Sequence, residues 1–334
     1  MQRVRACGSE LKRFFDRAER AWPGRFEELC KKTVTCIGAG AIGSYVCYRL
    51  AAAGVGRLYI IDGDVVEEHN LERTTCFTLS DVGKPKAEAL RNCILSIRPW
   101  AEVVAVSHYL EELRKLCLEG DDLACGIIDE AFGEADLIFV GVDNAYARDL
   151  ATRYAIEYGK PYVEAAFGPD HGEVYIFPNP REGPCRICTL VREDYDTSVL
   201  GYNLTAVCPS CRRHFKIKNW ATEFASVEGG VPVERVFERG VVVAVKARCP
   251  HCGAEHTYST PNAPAAALSE IAAITLGFAY FYAVRALLGY YPPWNVLRVF
   301  PAYVETAKLA KRKSHDGGHI EEAMWAGGLP SSGG

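Results

Sequence analysis

The sequence predicts an α/β protein built on a doubly wound, mostly parallel sheet, with a smaller cysteine-rich module inserted into it. Three observations carry this. Continuous apolar runs such as TVTCIG (33–38), RLYIID (57–62) and DLIFVGVDN (136–144) alternate with helical stretches, the pattern of strands buried on both faces. A glycine-rich turn, GAGAIG at 38–43, follows the first run. Three CxxC pairs, Cys185/Cys188, Cys208/Cys211 and Cys249/Cys252, then fall between residues 181 and 260.

Taken in order, Ser9 is expected to cap a helix over 10–22, where Leu11, Phe14, Phe15, Ala18, Ala21 and Trp22 recur at helical spacing before Pro23-Gly24 ends it. The first strand (33–38) leads through the glycine turn into a helix reaching about Ala53, and the second strand is 57–62. GKPK opens a helix over 84–97, EVVAV (102–106) is a third strand, and the strand in 136–144 precedes another helix. KPYVEAAFG and GEVYIFPNP complete the sheet, and an apolar helix over 268–288 returns to it. The resulting division is 1–180, an N-terminal helix plus the main domain; 181–260, the cysteine-rich insertion; 261–307, the returning helix; and 308–334, a basic, glycine-rich tail expected to be disordered.

Composition narrows the function classes. Of 334 residues, 49% are hydrophobic and 24% charged, as in a soluble globular chain. Lys plus Arg number 38 against 42 Asp plus Glu, a net charge of -4. That balance lacks the basic excess needed to coat nucleic acid or an anionic membrane. The longest uncharged apolar run, between Glu270 and Arg285, is short for a membrane span and contains Thr275 and Gly277. The start, MQRVRACGSELKRFF, has no apolar signal-type stretch, and the 14 cysteines read as free thiols or metal ligands. The expected compartment is the cytoplasm.

The chemistry is concentrated on one sheet edge. Gly38, Gly40 and Gly43 form GxGxxG between strand and helix, a Rossmann-like turn whose backbone can approach a phosphate. Asp62 ends the second strand, where a carboxylate can accept ribose hydroxyls. Asn70 and Arg73 follow in EEHNLERT, and Lys86 sits in the opening turn of a helix, the end that disfavours a cation unless an anion is bound. Asp143-Asn144 ends a later strand. Singly these are surface charges or, for Asp143, a helix cap. Together they suit an ATP-dependent adenylating enzyme, with Asp143 on Mg²⁺ and Arg73 and Lys86 spreading phosphate charge. A carboxylic acid nucleophile is already ionised at neutral pH, so no general base is required.

CIGAGAIGSYVCYRLAAAGVGRLYIIDGDVVEEHNLERT, DVGKPKAEAL and VGVDNAYARDLATRYAIEYGKPYVEAAFG together resemble the ThiF/MoeB/HesA family, relatives of the adenylation domain of ubiquitin-activating enzymes. The resemblance covers about 10–180 and 261–289. It implies ATP contacts at Gly40 and Ala41 within the Gly38–Gly43 turn, ribose binding by Asp62, phosphate binding by Asn70, Arg73 and Lys86, and Mg²⁺ at Asp143. Asp64 and Asn144 join them as nucleotide-binding residues. It also implies a homodimer in which Arg13 enters the neighbouring subunit's site. The sequence departs from the family pattern at Ala41, where a second inner glycine is usual, and at Thr74, where a glutamine is usual.

CPSC (208–211) and CPHC (249–252) read as two knuckles of a zinc-ribbon-like module, with Cys208, Cys211, Cys249 and Cys252 as ligands. The family commonly pairs a CxxC at the place of Cys185/Cys188 with another after the long C-terminal helix, but no cysteine follows Cys252. Cys185 and Cys188 are thereby left as a zinc half-site, buried thiols or a thioester-forming nucleophile, the last favoured by Arg186 and Arg192 nearby. Arg212, Arg213, Lys216 and Lys218 raise the rival reading of a nucleic-acid-binding or docking adaptor. The leading reading is adenylation of the C-terminal carboxylate of a ubiquitin-like or sulfur-carrier protein, using ATP, Mg and Zn, with an E2-like or sulfurtransferase acceptor. A second enzyme reading is adenylation of a small-molecule or RNA-borne carboxylate.

Overall fold

The computed structural model describes residues 7–167, 171–186, 204–218, 225–227, 229–238, 241–259, 269–299 and 304–307. Its centre is an eight-stranded sheet. The strands are β1 (Thr33–Ile37), β2 (Arg57–Ile61), β3 (Glu102–Val106), β4 (Leu137–Val140), β5 (Tyr162–Phe167), β6 (Gly172–Phe177), β13 (Val296–Val299) and β14 (Val304–Ala307). They lie in the order β14-β13-β6-β5-β4-β1-β2-β3. The block from β5 to β3 is parallel throughout, while β6, β13 and β14 add antiparallel pairings at one side. The chain runs outward from β1 through β2 to β3, then crosses back to β4. The gap between β1 and β4 is therefore the topological switch point, where open α/β sheets bind ligands.

Alternation along each strand divides the core in two. Val34, Cys36, Leu58, Ile60, Leu137 and Phe139 face α3 (Ala41–Ala53), α4 (Lys86–Ile97) and α8 (Ser269–Leu287). Ile37, Tyr59, Ile61, Ile138 and Val140 face α5 (Leu110–Leu118), α6 (Asp122–Gly133) and α7 (Ala145–Glu157). The doubly wound, mostly parallel sheet expected from the sequence is present. Helix α3 begins at the glycine turn and stops at Gly54, whose φ of 101° closes it as a left-handed cap.

The N-terminus differs from the expected single helix. A 3-10 turn over Ser9–Phe15 runs into α1 (Asp16–Ala21), and α2 (Arg25–Leu29) follows. Ser9 is not the cap: Gly8 occupies that position and no side chain satisfies it. Leu11 and Phe15 still bury one stripe, against Phe26 and Cys30. The Glu19 carboxylate accepts the backbone N–H of Gly24 at 2.9 Å and of Phe26 at 2.5 Å, which turns the chain into α2.

The cysteine-rich region forms two three-stranded antiparallel sheets. One contains β7 (Leu204–Val207), β8 (His214–Lys218) and β9 (Ser226–Val227); the other contains β10 (Glu234–Glu238), β11 (Val241–Arg248) and β12 (Glu255–Ser259). They share a small core of Phe215, Ile217, Val227, Val245, Ala247 and Tyr258. The tail expected to be disordered and Cys188 lie outside the described residues.

One reading of the cysteines is overturned. Cys7–Cys30, Cys76–Cys93 and Cys117–Cys125 are disulfides. Each pair joins segments that packing already brings together, so these six residues are not free thiols and lend no support to a reducing compartment. No described helix is long and apolar enough to cross a membrane.

Candidate active site

A cleft of about 340 Å³ opens along the carboxyl ends of β1, β2 and β4. It is lined by Gly38, Gly40, Ala41, Asp62, Asp64, Asn70, Arg73, Lys86, Asp143 and Asn144, nearly the whole set singled out from the sequence. The glycines divide the work. Gly38 has φ of 95°, and a Cβ there would meet the Gly141 carbonyl oxygen at 2.8 Å. A Cβ on Gly43 would fall 1.8 Å from the Gly38 carbonyl oxygen, so this glycine seats the helix against the strand and does not line the cleft. A Cβ on Gly40 would meet nothing within 4 Å, because that position faces the open space of the cleft.

Asp62 closes the turn from below. Its Oδ2 accepts the Ala39 N–H at 2.6 Å and its Oδ1 accepts the Asp64 N–H at 2.8 Å. Burial pushes its pKa up, and the Lys86 charge opposes that rise. Each carboxylate oxygen has two lone pairs, so both retain capacity for a ligand hydroxyl. Lys86 is buried at the start of α4, with Nζ 2.8 Å from Asp64 Oδ2. The Tyr109 hydroxyl donates to the other oxygen of Asp64. The cation at this helix N-terminus is thus already met by a carboxylate, in addition to any bound anion.

Asn70 is buried and accepts the Glu67 N–H at 3.1 Å, which closes a short turn. Arg73 leaves that turn, donating to the His69 carbonyl oxygen at 3.1 Å and lying 3.0 Å from Glu72. Its side chain is 36% exposed, so those local contacts are weak competitors for an anionic ligand. At β4, Asn144 is the N-cap of α7 and accepts the Tyr146 N–H at 2.9 Å. The cap role that competed for Asp143 therefore belongs to its neighbour, and Asp143 stands exposed in the cleft.

Sequence reasoning missed three cleft residues. Arg148 donates from Nε to the Val142 carbonyl oxygen at 2.8 Å, and its Nη1 lies 3.2 Å from Glu164, so it holds the loop that carries Asp143. Glu111 accepts from Asn144 Nδ2, and burial pushes its pKa up to about 7. Tyr109 and Glu111 follow β3 on the same carboxyl edge; that edge rule, applied to HYLEEL, was the signal available. Arg13 is exposed on the N-terminal 3-10 turn and does not line the cleft of its own chain.

Cys185 and Arg186 are placed differently from what a reactive thiolate at Cys185 requires. Arg186 is 2% exposed and forms ion pairs with Asp149 and, at 3.0 Å, with Glu164. Its guanidinium is committed to two buried carboxylates, and Cys185 is fully buried. The arrangement anchors the chain beneath the cleft and offers Cys185 no exposed route to an acyl group.

The four cysteines of the other two CxxC pairs meet. The sulfurs of Cys208, Cys211, Cys249 and Cys252 all lie within 4.8 Å of one another, with 3.6 Å between Cys208 and Cys252 and 3.7 Å between Cys211 and Cys249. A tetrahedral zinc with Zn–S of about 2.3 Å requires sulfur separations of about 3.8 Å. The donor set fits. Both knuckles have the same geometry, with the residue after the second cysteine left-handed in each, Arg212 at φ 59° and Gly253 at φ 76°.

The model of the ThiF family matches residues 16–314. The chain belongs to the ThiF family. Among its ThiF-like relatives, the "probable adenylyltransferase/sulfurtransferase MoeZ" of Mycobacterium tuberculosis is 38% identical over 144 residues, covering 43% of this chain and 33% of that protein. The "sulfur carrier protein adenylyltransferase" of Thermus thermophilus is 32% identical over 166 residues, 48% of this chain and 56% of that one. The chain thus matches a third to about half of the length of these relatives. A crystal structure of E. coli MccB with ATP superposes with a TM-score of 0.59 over 92% of this chain and 73% of that one, at 15% identity. That likeness establishes a shared fold.

Proposed function

We propose that this ThiF-family chain is an ATP- and Mg²⁺-dependent adenylyltransferase. It activates the C-terminal carboxylate of a ubiquitin-like or sulfur-carrier protein. The observation that carries the reading is the division of labour at β4: Asn144 caps α7, leaving Asp143 exposed in a cleft that also holds Lys86, Arg73 and Asn70. Asp143 would hold the Mg²⁺, which when bound neutralises phosphate charge. Gly40 and Ala41 present backbone to the nucleotide, and Asp62 is placed for the ribose hydroxyls. A substrate carboxylate oxygen attacks the α-phosphorus, the α–β bridging P–O bond breaks, and pyrophosphate leaves with the bond electrons. Lys86 and Arg73 stabilise the charge gathering on the phosphates. The product is a mixed anhydride for a sulfurtransferase or E2-like acceptor.

Zinc in the cysteine tetrad completes the proposed cofactors and holds the two knuckles together. The proposed working assembly is a homodimer. Support for the substrate class comes from the relatives' names, MoeZ as adenylyltransferase/sulfurtransferase and the Thermus protein as acting on a sulfur carrier. The test is ATP–pyrophosphate exchange dependent on an added carrier protein with a free C-terminus. Asp143→Ala should lose at least about 100-fold in rate, the scale of removing a principal electrostatic stabiliser, while its circular dichroism stays unchanged. Undiminished exchange in that variant would sink the metal role. Exchange supported equally by small carboxylic acids would move the substrate away from a protein.

A further inference from the structure

Strand β10 carries Arg235 out of the cysteine module and onto the nucleotide-binding half of the chain. The Arg235 guanidinium carbon lies 4.1 Å from the centre of the Tyr146 ring, a cation–π stacking distance. Tyr146 lies in the first turn of α7, and its N–H donates to Asn144 Oδ1 at 2.9 Å. Asn144 Nδ2 donates in turn to Glu111. Asn144 and Glu111 both line the cleft; Arg235 and Tyr146 stand behind them. The Arg235 charge reaches Glu111, where it opposes the effect of burial on that carboxyl.

On the other side, Arg235 is paired across the β10–β11 ladder with Val245. Val245 is fully buried in the apolar cluster that contains Cys208 and Cys249, and β11 runs directly into the Cys249 knuckle. A continuous set of contacts therefore leads from the cysteine tetrad through β11 and β10 to the wall of the cleft. Each link is a packed or hydrogen-bonded contact, the kind of network along which coupling between two sites can be carried.

We propose that Arg235 is a positioning residue through which the cysteine module fixes the Asn144–Glu111 wall of the nucleotide cleft, so that ATP binding depends on the integrity of the tetrad. The proposal rests on the nucleotide reading above. The module then has a role beyond local stability, since a chain with its knuckles open would bind nucleotide weakly and waste less of it.

The test measures ATP affinity by titration calorimetry on the full chain. Variants are Arg235→Ala, Arg235→Lys, Tyr146→Leu, the pair Cys208→Ser/Cys249→Ser, and that pair combined with Arg235→Ala. Arg235→Ala and Tyr146→Leu should each weaken ATP binding about tenfold, with an unchanged main thermal transition, and Arg235→Lys should recover part of the loss because it keeps the charge. In pyrophosphate exchange the loss should appear in KM for ATP and not in kcat, since Arg235 touches no reacting atom. The cysteine pair should weaken binding at least as much, and adding Arg235→Ala to it should weaken it no further, because both lesions remove one contact. Wild-type affinity in Arg235→Ala and Tyr146→Leu overturns this inference alone. So does a combined variant whose loss is the product of the separate losses. Absence of ATP binding by the wild type overturns the nucleotide reading, and this inference with it.

Discussion

Glu111 is a cleft residue whose titration falls in the neutral range. Its carboxyl is pushed up to about 7 from an ordinary 4.5, chiefly by burial, with Glu112 adding to the rise and the Asn144 hydrogen bond and Arg235 opposing it. The sign follows from proton counting. Between pH 4.5 and 7 the folded chain holds this proton more tightly than the unfolded chain, so stability falls as pH rises through that window. Above pH 7 the buried charge opposes folding by an amount of order 1–3 kcal/mol. Glu111→Gln keeps an acceptor for Asn144 and removes the titration. Urea unfolding at pH 5 and pH 8 should show the variant more stable than wild type at the higher pH and closer to it at the lower. Equal pH dependence in the two proteins would remove Glu111 as the group responsible. Asp149 gives a second prediction at this scale. It is fully buried against Arg186, and removing one partner of a buried ion pair costs about 3 kcal/mol or more. Asp149→Ala should lower the denaturation midpoint accordingly. A change within about 0.5 kcal/mol, the range of ordinary surface substitutions, would mean that Glu164 alone satisfies the guanidinium.

At the scale of elements, the glycine turn and its helix are one unit. Gly43→Ala drives a Cβ into the Gly38 carbonyl oxygen, a backbone atom that cannot step aside. The substitution should cost at least about 2 kcal/mol and weaken ATP binding along with it, whereas Gly40→Ala, with open space around its Cβ, should spare stability and weaken ATP binding alone. Loss of stability at Gly40 equal to that at Gly43 would contradict this division. The same elements show what the sequence made legible. The strands through β6 were readable because each is a continuous apolar run, and the GxGxxG, NLxR and VDN segments placed most cleft residues on one edge. Helices α5 and α6 escape a reading that follows continuous apolar runs and passes over half-polar ones. Their signals are present all the same: LEELRKLCL places Leu110, Leu113, Leu116 and Cys117 at helical spacing, and Asp121, which accepts from the N–H groups of Leu123 and Ala124, marks the start of α6. Strand β13 is four residues long after a Pro-Pro break, and only pairing with β6 reveals it. The Arg186 ion pairs and the Arg235 stack join residues far apart in sequence, so no local pattern could announce them.

At the scale of the molecule, the N-terminal segment meets the end of α8 through aromatic contacts. Arg285 lies over the rings of Trp22, Phe281 and Tyr290, joining the two segments, and Trp22 meets Tyr290 edge-on. Phe281 and Tyr290 expose large side chains there. In the proposed homodimer, a second copy of the chain would receive Arg13 from the N-terminal segment. Arg13 is exposed beside Phe14 and lies outside its own cleft. If it completes the partner's site, Arg13→Ala and Lys86→Ala should each be inactive in pyrophosphate exchange. Mixed and allowed to exchange subunits, they should recover activity, because a heterodimer gathers both lesions at one site and leaves the other with its own Lys86 and the partner's Arg13. For random pairing in a two-fold dimer, half of the dimers are mixed and each has one intact site of two. The expected recovery is therefore about a quarter of the wild-type rate. Recovery that rises with the measured heterodimer fraction establishes the exchange of arginines between subunits. Inactive mixtures in which heterodimers are demonstrably present would place Arg13 outside both sites or within its own.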